Sequence, residues 1–195
     1  KGTLNRTQRD THRSPKWRNP MPAQSHHHVA YHCIDAKQTV ERYKKHLDMD
    51  FVLAIAENQV PSTKAPDPYM HVFLDMGEGN VLAFFELPAS PPMDRDNNTP
   101  AWVQHLAMKV DSVDTLLKAK ARLEAAGIDV IGPTDHTIFK SIYFFDPNGH
   151  RLELAADVGT PKMAKMLDDV KWEMLEEWSK TKRAPTHAAW MHDGS

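Results

Sequence analysis

At 195 residues the chain is long enough for one sizeable domain or two small, closely packed units, and 41% hydrophobic with 26% charged residues is the composition of an ordinary globular protein. A net charge of −2 points to neither nucleic acid nor an anionic membrane as partner, no apolar run is long enough to span a bilayer, and the single cysteine, Cys33, excludes an internal disulfide. The expected setting is the cytoplasm, without a signal peptide; the unusual feature is twelve histidines.

Residues 1–24 carry Lys1, Arg6, Arg9, Arg13, Lys16 and Arg18 against Asp10 alone, with prolines and little that is apolar. Such a segment cannot bury enough surface to fold by itself and reads as a flexible basic arm.

A first module is expected over 25–87. In SHHHVAYHCID, a strand's alternation puts His26, His28, Ala30 and His32 on one face and Val29, Tyr31 and Cys33 on the other. Asp35 is a candidate N-cap for an amphipathic helix carrying Ala36, Val40, Tyr43 and Leu47. Strands follow at 51–57, 69–76 and 81–87, with a proline-rich loop at 58–68. After a linker at 88–100, a second module over 101–157 repeats the order. It has a strand in WVQHLAMKV, a helix stopped by Gly127, a short strand at 129–131, and a hairpin of SIYFF and HRLELA about the turn Asp146–Gly149. The remaining 158–195 holds a helix with Met163, Met166, Leu167, Val170, Met174 and Trp178 on one stripe, expected to cover the sheet or a dimer seam, and then a tail.

Four polar residues recur at terminal strands of the two modules: His28, Glu86, His105 and Glu153. Apolar neighbours flank them, Phe85 and Leu87 beside Glu86, and Leu152 and Leu154 beside Glu153. A carboxylate buried in such a strand costs several kcal/mol unless it is paired or binds a metal. The pattern therefore calls for a cation. Imidazole and carboxylate donors suit divalent first-row metals: iron(II) for two histidines and one carboxylate, with nickel, zinc, manganese or cobalt nearly as suitable.

The strings HHHVAYHCIDAKQTVERYKKHLDM, WVQHLAMKV and SIYFFDPNGHRLELA resemble the vicinal oxygen chelate superfamily over about residues 25 to 157. That superfamily includes glyoxalase I, methylmalonyl-CoA epimerase, fosfomycin resistance proteins and type I extradiol dioxygenases. The resemblance implies an α+β fold in which two tandem βαβββ modules form a half-open barrel around one metal, here with a C-terminal helix added. It implies His28, His105 and Glu153 as metal ligands. The dioxygenases share the His, His, Glu set and a tyrosine on the penultimate strand, where Tyr143 stands. Their histidine acid-base group falls where this chain has Asn80, so His71, His32 or His136 would substitute. Glyoxalase-like lyases use a fourth protein ligand, for which Glu86 is the candidate. AFFE, TDHTIFKSIYFFDPNG and LEL look closest to small single-domain proteins related to biphenyl-diol dioxygenases.

The favoured expectation is an iron(II) extradiol dioxygenase of catechol-like small molecules, acting as a homodimer, with Tyr143 and His136 or His71 handling protons. The alternatives are a glyoxalase-type lyase or epimerase with a four-ligand metal site that includes Glu86, and a non-catalytic protein that sequesters a small molecule.

Overall fold

A computed structural model describes residues 26–94 and 96–192; the basic arm expected at 1–24 lies outside the described residues. Two four-stranded mixed sheets and three helices make an α+β fold. The first module comprises β1 (Val29–Cys33), α1 (Ala36–Leu47), β2 (Asp50–Glu57), β3 (Tyr69–Asp75) and β4 (Val81–Glu86). The second comprises β5 (Leu106–Val110), α2 (Val113–Ala125), β6 (Ile131–Asp135), β7 (Phe139–Phe145) and β8 (Arg151–Asp157). The sheet orders, β1-β4-β3-β2 and β5-β8-β7-β6, are the same, with the first pair parallel and the other pairs antiparallel. The repeat expected from the element order is thus present in the strand topology. The short second strand of the second module runs later than expected, over Ile131–Asp135 and not 129–131, and the strand expected from Trp102 begins at Leu106.

Local chemistry sets the helix boundaries. Asp35 caps α1 by accepting from the Gln38 N–H at 2.7 Å, and Ser112 caps α2 by accepting from the Thr115 N–H at 3.2 Å. Gly127, at φ +76°, closes the end of α2 in a left-handed conformation, as its position in the sequence predicts. The period-two and helical stripes then meet in one core. Leu74, Leu82, Phe84, Leu116, Leu123, Ile142 and Leu152 are 0–1% exposed, each burial stabilising by roughly 1.5–3 kcal/mol.

The two modules meet through α1 and α2 and through the β7–β8 turn. Tyr43 of α1 donates to Asp146 Oδ2 at 3.0 Å, while Asn148 accepts from the Ile34 N–H at 3.0 Å and donates to Thr39 Oγ1 at 3.2 Å. His150 Nε2 donates to the His32 carbonyl at 2.8 Å. The Asp146–Gly149 turn is therefore a clamp between the modules. Among the described residues, no strand of one sheet pairs with a strand of the other.

A third helix, α3 (Pro161–Thr181), is capped by Thr160 and has no buried residue. Met166, Trp172, Leu175 and Trp178 stay exposed, so α3 does not cover the sheet in this chain. The edge strand β2 is exposed along its whole length, Phe51, Val52, Leu53 and Ile55 included. Among the described residues no helix is long and apolar enough to cross a membrane.

Candidate metal centre

The second sheet presents a polar cluster on one face. Glu153 in β8 lies opposite Tyr143 in β7 and beside Ala107 in β5, and alternation puts Ser141 and Arg151 on that same face. His105 stands immediately before β5. Its Nε2 lies 2.9 Å from Glu153 Oε2, and its Nδ1 lies 2.9 Å from the Val103 carbonyl.

A carbonyl only accepts, so Nδ1 carries a proton, and in the neutral imidazole Nε2 then offers a lone pair. Two electron-rich atoms so close need a cation between them. That cation is either a proton, which makes an imidazolium–carboxylate pair, or a metal. Donors ~2.1 Å from an ion and at right angles to one another stand ~3.0 Å apart, which is close to the separation found. His105 and Glu153 therefore fit a divalent metal as two neighbouring ligands.

Glu153 is 3% exposed, and its other oxygen is fully engaged. Oε1 accepts from Ser141 Oγ and, at 3.3 Å, from Tyr143 Oη. These donors fix the carboxylate with Oε2 turned toward His105. Tyr143 Oη also lies 2.9 Å from His136 Nε2. With the tyrosine's one proton given to Glu153, His136 donates to the phenol oxygen. Burial, followed by the charge of Glu153, pushes the Tyr143 phenol above its ordinary pKa, and Arg151 over its ring opposes that shift.

The first sheet's corresponding face is aromatic. His28, just before β1, has its ring 6.0 Å from His71 and 5.7 Å from Phe73, and its Nδ1 is 2.7 Å from that of His27. His71 is 8% exposed, stacks on Phe85 at 3.6 Å, and has no hydrogen-bond partner at Nε2 among the described residues. Burial, then the neighbouring His28, push its pKa below the usual histidine value.

Glu86 is elsewhere. Its Oε2 accepts from the Ala36 N–H at 2.7 Å, at the first turn of α1, where a carboxylate is favoured by the helix dipole. The registers explain why. Val29 pairs with Leu82 as Leu106 pairs with Leu152, so the first-module counterpart of Glu153 is Ala83. The expected superposition of Glu86 on Glu153 is corrected accordingly.

Of the residues singled out in the sequence, the structure brings together His105, Glu153, Tyr143 and His136. It groups His28 with His71 on the other sheet and sets Glu86 apart. Among the described residues, no group of three or more His, Cys, Asp or Glu is arranged to hold a metal ion. Ser141 and Arg151 were missed. Their alternation with Tyr143 and Glu153 was visible in SIYFF and HRLEL, but the pairing that puts the four on one face was not.

The model of the Glyoxalase/Bleomycin resistance protein/Dioxygenase superfamily matches residues 25–154. No curated protein sequence matches the chain. Among solved structures, a glyoxalase family protein from Enterococcus faecalis is 25% identical, with a TM-score of 0.50 over 68% of this chain and 97% of that one. Leishmania major glyoxalase I, described as trypanothione-dependent, is 18% identical, with a TM-score of 0.52 over 80% and 99% of the two chains. The fosfomycin resistance protein FosX from Listeria monocytogenes, complexed with manganese(II) and sulfate, is 17% identical, with a TM-score of 0.50 over 73% and 97%. These last two likenesses show a shared fold.

Proposed function

The chain belongs to the Glyoxalase/Bleomycin resistance protein/Dioxygenase superfamily, and on that premise we propose that it is an iron(II) extradiol dioxygenase of catechol-like small molecules. The observation that carries this reading is the place of Glu86. With its carboxylate on the Ala36 N–H and Ala83 at the position equivalent to Glu153, the protein donors are His28, His105 and Glu153. Two histidines and one carboxylate leave open positions for substrate and dioxygen.

The bound metal supplies Lewis acidity toward two adjacent oxygens and one-electron chemistry with dioxygen. The chain's own residues do the rest. Ser141 and Tyr143 hold Glu153 by Oε1, and the Val103 carbonyl fixes the His105 tautomer. Tyr143 and His136 form a hydrogen-bonded pair that takes up or delivers a proton at the phenol oxygen. His71, buried against Phe73 and Phe85 with no hydrogen-bond partner at Nε2 among the described residues, is a second acid-base group on the face that carries His28.

His28 is not with His105 and Glu153 in one chain, so the reading requires a homodimer. The first-sheet face of one copy covers the second-sheet face of the other, and the exposed Phe51, Leu53 and Ile55 next to that aromatic face supply apolar area for the contact. Mixing His28→Ala and His105→Ala subunits tests this. Shared sites restore metal binding at about a quarter of all sites, since half the dimers are mixed and one site in each is intact; sites built within single chains restore none. The activity is tested by oxygen uptake after anaerobic iron(II) loading.

A further inference from the structure

Arg151 is the charged group on this face that the proposed reaction leaves unused. It stands two residues before Glu153, and its guanidinium lies over the Tyr143 ring, 4.3 Å from the centroid. It is half-buried, and among the described residues its guanidinium makes no ion pair and no hydrogen bond. Such a group normally finds a carboxylate, since a guanidinium offers five donors in a planar fork. Arg151 has kept its fork free while being held in place by stacking.

It also lines a cavity of about 500 Å³ that His105 borders, together with Tyr31, His150 and residues of the linker. Two carboxylates, Asp94 and Asp96, contribute to the linker wall of the cavity. Asp96 is taken up by its own turn, accepting from the Asn98 N–H at 2.9 Å and from Thr99 Oγ1. Beside the His105–Glu153 pair the cavity therefore contains an organised cation with no ion-pair partner among the described residues.

We propose that Arg151 is the substrate's anion-binding residue and that the substrate class is a small molecule carrying a carboxylate, or another oxyanion of that shape, next to the oxygens it presents to the metal. The placement of that anion beside the reacting oxygens rests on the metal-centre reading given above; its capture by Arg151 does not. A planar carboxylate matches the fork bidentately, and the Tyr143 ring stiffens the arginine before the ligand arrives.

Calorimetric titration of the full-length, metal-free protein tests the proposal with benzoate, its neutral isostere benzamide, and inorganic phosphate. Benzoate is expected to bind at least roughly tenfold more tightly than benzamide. Arg151→Gln is expected to abolish that preference and leave benzamide binding unchanged, while Arg151→Lys, which keeps the charge and loses the fork, retains part of it. If Arg151→Gln does not fold, Arg151→Lys carries the comparison, with a reduced preference expected. Phosphate competing with benzoate extends the class to tetrahedral oxyanions, and phosphate failing to compete confines it to carboxylates. Equal binding of benzoate and benzamide, or an undiminished preference in the variants, overturns the proposal. The outcome is independent of the reaction: benzoate captured by Arg151 in a protein that consumes no oxygen with any diol would remove the dioxygenase reading and leave the anion site standing.

Discussion

Replacing Ser141 by alanine removes a hydroxyl that is 0% exposed and donates to Glu153 Oε1. The remaining donor to that oxygen, Tyr143 Oη, is 3.3 Å away, long for an O–H···O contact and unable to replace the lost bond without moving. Leaving a buried carboxylate one donor short costs about 1–3 kcal/mol of stability. The same loss frees Glu153 to rotate, so that Oε2 no longer faces His105 at 2.9 Å. Loss of a partner that orients a ligand typically weakens metal binding about 10–100-fold. Urea unfolding of the metal-free protein reads the first effect, and manganese(II) titration of wild type, Ser141→Ala and Ser141→Thr reads the second. The threonine variant restores the hydroxyl and with it most of the affinity. Manganese affinity within about threefold of wild type in Ser141→Ala would refute the claim that this hydroxyl aims the carboxylate.

Glu86→Ala is expected to destabilise the fold by about 0.5–1 kcal/mol through loss of the contact at the start of α1, with metal affinity unchanged; denaturant midpoints and metal titration check the two halves separately. Tyr43→Phe breaks the clamp bond to Asp146 and is expected to cost about 1–2 kcal/mol in denaturant unfolding. Burial, then the Asp146 charge, hold the folded Tyr43 pKa well above its ordinary 10.0. Above pH 10 the unfolded chain releases this proton first and binds fewer than the folded chain, so stability falls as pH rises. Tyr43→Phe therefore flattens the stability curve above pH 10, and stability curves that stay parallel would refute the assignment. Cys33, 1% exposed and pushed up to about 11 chiefly by burial, is expected to react with iodoacetamide at pH 8 at least ~100-fold more slowly than a free thiol, measured by mass spectrometry on the native protein.

What could be read in the sequence was local. Asp35 before an amphipathic run, Gly127 after one, and the Asp146–Gly149 turn each act within a few residues, and each is where it was expected. The duplication was legible because the same order of periodicities appears twice. The metal-centre assignments depended on register, which is set between strands far apart in the chain. Glu86 shows the consequence. FFEL and RLEL look alike as strings, but parallel pairing with β1 makes Ala83, three residues earlier, the counterpart of Glu153, and an odd offset along a strand reverses the face. Ser141 was missed for the same reason, since a serine in an apolar strand means little until Glu153 is known to lie across from it. The stripe on α3 was a correct reading of periodicity that does not say what it packs against; in this chain none of it is buried, Met163, Leu167, Val170 and Met174 being partly covered and Met166 and Trp178 exposed.

The most direct test is oxygen uptake by protein loaded anaerobically with iron(II), followed across a panel of catechols that includes ring-carboxylated members. The account predicts a yellow ring-cleavage product formed with oxygen consumption, lost in His28→Ala, His105→Ala and Glu153→Ala and retained in Glu86→Ala. No uptake with any diol, together with tight nickel or zinc binding that disappears in Glu86→Ala, would contradict it and assign the chain to the four-ligand lyase and isomerase branch of the superfamily.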